Sequence, residues 1–133
     1  RWISMSGKVA VDTNIAIKLL NGDEAIDNCL SKYSEICLPV IVVGELIFGA
    51  LNSKRSEQNI ARHKRLIQKV TILEISETTA NTYAKTRLVL KQKGKPIPEN
   101  DLWIASLCIE HKLPLISDDG HFEEVEHLTL VGL

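Results

Sequence analysis

No apolar run in the 133-residue sequence approaches the roughly 20 residues that a helix needs to span a membrane. The N-terminus also lacks a charged segment followed by an apolar one, so no secretory signal is expected and a cytoplasmic location is. Cysteine is scarce. Cys29, Cys37 and Cys108 are odd in number, far apart and embedded in apolar segments, which argues against a disulfide framework or a zinc cluster and for reduced, buried thiols. Excess charge is lacking too: the formal net charge is −1. Global basicity therefore does not advertise nucleic acid, although a local patch can still bind it. Internal repeats, low-complexity tracts and interdomain linkers are absent. The length suits one domain with a real core, expected over residues 5–133. Arg1–Ser4 precede Met5 and are read as a leader added ahead of the natural start.

What is present alternates short strands with helices. Val9–Val11 is a short β-branched run and reads as a buried strand. A helix follows over Ile15–Leu20, with Thr13 or Asn14 as its cap and Asn21-Gly22 as its stop. A second helix is expected over Asp23–Lys32, and a strand over Glu35–Leu38 that Pro39 closes. The segment "PVIVVGELIFGALNS" reads as a buried helix with Val40, Val43, Ile47 and Leu51 on one stripe. Ser56–Gln68 is a polar helix, and "VTILEI" a strand. The helix from Ser76 to Gly94 places Ala80, Tyr83, Ala84, Arg87 and Leu88 on one face. After "KPIPEN", a helix runs from Glu99 or Asn100 through His111. "LPLIS" is a strand, "DDGHFEEV" a turn with a short helix, and "LTLVGL" a last strand. This alternation predicts an α/β fold with a central, mostly parallel sheet and helices on both faces.

Four places hold acids where burial is expected. Asp12 follows the first strand directly, and Asp118-Asp119 follow "PLIS". Glu45 and Asp101 lie on helices among apolar neighbours. In an open parallel sheet, sites form beyond the carboxyl ends of the strands. Taken singly, Asp12, Asp101 and Asp118-Asp119 are explained by capping or by a turn before Gly120. Glu45 is neither at a helix start nor within a helical turn of a basic residue. Taken together, converging carboxylates would repel and stay partly protonated unless a cation joined them. An all-oxygen set favours a hard divalent ion, Mg²⁺ or Mn²⁺, and such an ion supports phosphodiester hydrolysis.

The sequence resembles PIN-domain ribonucleases, and among them the VapC-like toxins of type II toxin–antitoxin pairs, from Val9 to about Val131. "VDTN" matches the family's first acid, here Asp12, with Thr13 and Asn14 beside it. Glu45 in "VVGELIFGA" matches the family glutamate. Asp101 in "NDLWIAS" matches the third acid, with Ser106 in place of the motif's last alanine. "LISDDGHF" matches the fourth, on Asp119, with Asp118 as the neighbouring alternative and Ser117 in the Thr/Ser position. The resemblance implies a three-layer α/β/α PIN-like fold, a Mg²⁺- or Mn²⁺-dependent endoribonuclease site, a homodimer, and a small antitoxin that blocks the groove. It assigns Asp12, Asp101 and Asp119 to the metal and Glu45 as a further ligand or an orienter of water. Thr13 and Asn14 would steady the carboxylates by hydrogen bonds. His121 is expected at the surface or in packing, and Trp103 in the core rather than stacked on a base.

RNA also needs positive charge away from the acids. Lys54, Arg55, Arg62, Lys64, Arg65 and Lys69 form one basic group, and Arg87, Lys91, Lys93 and Lys95 a second. Two rival enzyme classes fit poorly. A phosphoacceptor signalling domain would carry paired acids on the first strand and a lysine after a late one. An Asp-x-Asp phosphatase needs a second aspartate where "DTN" has none. A non-catalytic RNA- or protein-binding module on the same fold is the remaining alternative.

Overall fold

The computed structural model describes residues 7–132; the expected leader at 1–4 lies outside the described residues. Five strands form one sheet: β1 (Lys8–Val11), β2 (Glu35–Pro39), β3 (Thr71–Leu73), β4 (Leu115–Ile116) and β5 (Leu130–Val131), in the order β3-β2-β1-β4-β5. All strand pairings among the described residues are parallel. Among the described residues, six α-helices complete the three-layer α/β/α fold: α1 (Thr13–Leu20), α2 (Glu24–Leu30), α3 (Val40–Leu51), α4 (Ser56–Ile67), α5 (Glu77–Gln92) and α6 (Glu99–Glu110). A 3-10 turn, Gly120–Glu124, links β4 to β5. No helix among the described residues is long and apolar enough to cross a membrane.

The strand order reverses direction at β1. From there the chain first builds leftward through β2 and β3, then returns to place β4 on the other side of β1. Right-handed crossovers in opposite directions put the connecting helices on opposite faces of the sheet. Accordingly α1, α2, α3 and α4 pack among themselves while α5 pairs with α6. α3 also touches α6, and these two helices carry Glu45 and Asp101. The core is dense where sheet and helices meet: Val9, Ala10, Val11, Ile15, Leu38, Leu107, Leu115, Ile116 and Phe122 are all fully buried. Cys37 and Cys108 are buried as expected, and burial pushes the Cys108 thiol up to about 12; Cys29 is only half-buried.

Several local expectations are corrected. The cap of α1 is neither Thr13 nor Asn14 but Asp12, whose Oδ1 accepts from the Ile15 amide at 3.0 Å. α3 buries Val42, Val43, Leu46 and Ala50, not the stripe Val40, Val43, Ile47 and Leu51. Ile47 and Leu51 are 41% and 61% exposed. A helix this uniformly apolar has no unique greasy face, so its phase is set by what it packs on. α5 likewise turns Ala80, Ala84 and Arg87 outward and leaves Leu88 54% exposed. It docks instead through Thr79 and Leu90 and through Tyr83, whose ring stacks on Trp103 with centroids 3.9 Å apart. Thr79 Oγ1 donates to Glu110 at 2.5 Å, a polar tie that apolar periodicity does not register. Trp103 is thus half-buried in the α5–α6 contact rather than deep in the core.

Candidate active site

β1 and β4 are neighbours in register, Ala10 opposite Leu115 and Val11 opposite Ile116. The next residues along each strand, Asp12 and Ser117, therefore emerge side by side. Ser117 Oγ donates to Asp12 Oδ2 at 2.5 Å. This is the crevice where the sheet reverses direction, the usual ligand position in such folds. Asp12 is only 4% exposed. Its other oxygen is committed to the first turn of α1, so the cap and the crevice wall are one side chain.

The remaining acids arrive on different elements. Pro39 ends β2 and caps α3, which delivers Glu45 in the second turn. There Glu45 Oε1 accepts from Thr13 Oγ1 at 2.5 Å. Pro98 starts α6 and places Asp101 as its third residue. Asp101 does not cap the helix, because its Oδ2 lies 3.1 Å from His121 Nδ1. Asp119 caps the 3-10 turn by accepting from the His121 amide at 2.9 Å. Its Oδ1 also lies 3.0 Å from His121 Nδ1. The Asp119 amide donates to Ser117 Oγ at 3.0 Å, which ties the turn back to Asp12.

Geometry separates the two adjacent aspartates. Asp118 pairs with Lys18 of α1 at 2.8 Å, and that ammonium holds its carboxyl below the usual range. Asp119 faces Asp101 and His121. Burial pushes the Asp12 carboxyl up against the lowering effect of Ser117 and of the Ile15 amide; the charges of Asp118 and Asp101 raise it further. Burial likewise raises Asp101, against the His121 contact, with Asp119 and Glu45 adding to the rise. Asp101 therefore stands at the centre of the acids, coupled to Asp12, Asp119 and Glu45. Among the described residues, ligand atoms of Asp101, Asp119 and His121 lie within 4.8 Å of one another, close enough to share an ion.

Asn14 is exposed and makes no side-chain hydrogen bond among the described residues. His121 lies at the surface, as expected, and in addition stands between two of the acids. Its signal in the sequence was its place two residues after Asp119 in a tight turn. Ser117, already matched to the family's Thr/Ser position, meets its partner Asp12 because β4 lies beside β1, and Lys18 could be assigned only once that pairing was known.

The two basic groups also part company. Lys93 and Lys95 are engaged by Glu126 and Glu124, and Arg87 reaches the Tyr83 hydroxyl at 2.9 Å. Arg62 donates to the Leu20 carbonyl at 3.3 Å. Lys54, Arg55, Lys64, Arg65 and Lys69 on and around α4 are exposed and have no ion pair among the described residues.

Comparison with known proteins agrees with this architecture. The PIN domain model matches residues 9–128. Ribonuclease VapC2 of Rickettsia felis is 32% identical over 125 residues, covering 90% of this chain and 93% of the relative. Ribonuclease VapC1 of Haemophilus influenzae is 34% identical over 123 residues, covering 90% of each. A chain in the crystal structure of VapBC2 from Rickettsia felis, bound to a DNA fragment from their promoter, superposes with a TM-score of 0.88 at 28% identity. It covers 95% of this chain and 98% of that one. With its strand order, its crevice acids and matches over nearly its whole length, this chain belongs to the PIN-domain family, in the VapC-like group.

Proposed function

We propose that this chain is an endoribonuclease that hydrolyses RNA phosphodiester bonds with Mg²⁺ or Mn²⁺, and the toxin of a toxin–antitoxin pair. The observation that supports the reading best is that Asp101 lies close enough to Asp119 and His121 to share an ion and is within electrostatic reach of Asp12 and Glu45. Asp12 is buried in the crevice between β1 and β4 and forms no salt bridge among the described residues; Lys18, which senses its charge, is paired with Asp118. The donor set fits a hard divalent cation: it is rich in carboxylate oxygens, and Asp12 and Asp101 are held above their ordinary value by burial and by neighbouring acids. Asp12, Asp101 and Asp119 would hold the ion, and Glu45 would be a further ligand or orient the attacking water. When bound, such an ion lowers the pKa of water and neutralises charge developing on a phosphate.

The chain's own groups set the stage for that chemistry. The Ser117 hydroxyl and the Ile15 amide fix both oxygens of Asp12, and Thr13 fixes one oxygen of Glu45. Orienting contacts of this kind are commonly worth 10–100-fold in metal affinity or activity, to order of magnitude. The site residues, the single unit over 5–133, the homodimer and the cytoplasmic location all belong to this proposal. So does a small cognate antitoxin over the groove, supported by the VapBC complexes among the structural neighbours.

The test is cleavage of RNA by the purified protein with Mg²⁺ or Mn²⁺ and with a chelator. Cleavage should require the ion and disappear in Asp101→Ala and Asp119→Asn but persist in Asp118→Asn. Undiminished cleavage by Asp101→Ala would overturn the site. No cleavage of any RNA, together with no divalent-ion binding, would favour the binding-module alternative.

RNA positioning is separately testable. The unpaired cations of α4 and its C-terminal end are the better candidates for phosphate contact than Lys93 and Lys95, whose charges are already engaged. Replacing Lys64, Arg65 and Lys69 with Ala should flatten the salt dependence of RNA binding by up to about 2 in log–log slope, at roughly 0.7 per phosphate contact on a single strand. Replacing Lys93 and Lys95 should leave it nearly unchanged. Binding to a fluorescent RNA across a salt series reads both, and the reverse order of effects would move the RNA path to α5.

A further inference from the structure

We propose that His121 is a nitrogen ligand of this same metal centre and biases it toward Mn²⁺ over Mg²⁺. The inference rests on the metal-dependent reading above and adds a residue to it.

The position of His121 is built rather than incidental. Phe122, the next residue, is fully buried and anchors the 3-10 turn in the core. Asp119 caps that turn through the His121 amide, so the residue is fixed at its backbone on both sides. From there Nδ1 points at two carboxylates at once, 3.1 Å from Asp101 Oδ2 and 3.0 Å from Asp119 Oδ1. Oxygen and nitrogen atoms that share one small divalent ion at bonds of about 2.1 Å stand roughly 3–4 Å apart. The three side chains already present their ligand atoms near that spacing. An ion held by the two acids would lie within reach of Nδ1. The ring is half-exposed, so it can adjust without repacking the core.

The consequence is one of metal choice. Carboxylates and water suit Mg²⁺ and Mn²⁺ alike, whereas imidazole suits first-row transition metals and is a poor partner for Mg²⁺. Adding one nitrogen to an oxygen set should therefore favour Mn²⁺. The competing role is a clamp: His121 would merely hold Asp101 and Asp119 in place by hydrogen bonds. Asn at this position keeps a donor near the carboxylates but has no imidazole nitrogen, so it separates the two roles.

The experiment measures Mn²⁺ and Mg²⁺ binding by calorimetry for the intact protein, His121→Ala and His121→Asn in a nitrogen-free buffer. Pulsed electron paramagnetic resonance is then recorded on the Mn²⁺-loaded samples. The intact protein should show nitrogen hyperfine coupling and a Mn²⁺ preference about tenfold larger than either variant, on the scale of other changes around metal sites. Both features should be missing from His121→Asn as well as from His121→Ala. Equal preference in the intact protein and His121→Asn, with no nitrogen coupling, would overturn the ligand role and leave the clamp. Binding of neither ion by the intact protein would overturn the metal-dependent reading together with it. Metal-dependent cleavage without nitrogen coupling would overturn the role of His121 alone.

Discussion

Asp12→Asn should abolish metal-dependent cleavage of RNA and at the same time raise the melting temperature of the metal-free protein. The loss of activity should exceed the roughly 10–100-fold typical of removing a partner outside the ligand set, since a neutral amide replaces a charged ligand in the crevice. The gain in stability follows from what Asp12 costs the fold. Burial holds its carboxyl above the ordinary value of 3.8, so the folded chain binds that proton more tightly than the unfolded chain does. The resulting stabilisation is greatest below the ordinary value and declines as pH rises toward the folded pKa. Once pH has risen through the folded pKa, the folded protein carries an ionised acid that its surroundings disfavour. Asn removes the charge and keeps an acceptor for the Ile15 amide, and Asn and Asp are equally good helix caps. Divalent ions should reverse the order by stabilising the native Asp12 protein and not the variant, because only a state that binds ligand gains from it. Thermal melts of both proteins with chelator and with Mn²⁺ read the effect. A lower melting temperature for Asp12→Asn in chelator would show that the buried charge is not the dominant cost.

Phe122→Ala should lower stability by about 3–5 kcal/mol, the usual cost of emptying a buried Phe site. Whole domains have only about 5–15 kcal/mol in hand. The melting temperature should fall by more than about 10 °C at this chain length. Phe122 is among the largest fully buried side chains, and the contacts of Lys93 and Lys95 with Glu124 and Glu126 that also tie its segment are exposed. β4 and β5 contribute only two residues each, and the 3-10 turn between them is secured by Phe122 and Val125. Asp119 and His121 ride on that turn. Divalent-ion affinity should therefore drop even at temperatures well below unfolding, as Asp119 loses its fixed position opposite Asp101. Calorimetric Mn²⁺ titration near 10 °C, beside a thermal melt, separates the two effects. A large stability loss with unchanged ion affinity would make Phe122 a core residue only, with Asp119 held by the Ser117 and His121 contacts alone.

The sequence by itself determined the alternation of elements and which acids interrupt its apolar stretches. Both are written in short-range chemistry: β-branched runs of a few residues, prolines at helix starts, and carboxylates that interrupt apolar stretches at the ends of those runs. Val9–Val11 makes β1 whatever it pairs with, and Asp12 follows it necessarily. Pro39 and Pro98 set where α3 and α6 begin, and hence how far along each helix Glu45 and Asp101 sit. The faces of α3 and α5 were not written there. A helix such as Val40–Leu51, apolar nearly all round, is satisfied by several phases, and only its packing selects Val42, Leu46 and Ala50. α5 is docked by a threonine hydroxyl and a stacked tyrosine that a hydrophobic count passes over. The choice between Asp118 and Asp119 likewise awaited the fold. Neighbouring residues at the end of a strand point in different directions, and only the pairing of β1 with β4 shows which meets Lys18 and which meets Asp101. The tertiary structure alone brought His121 between two acids, because that contact joins a turn after β4 to the first turn of α6. Such a meeting depends on the path of the whole chain; locally the sequence shows only that His121 follows Asp119 by two residues.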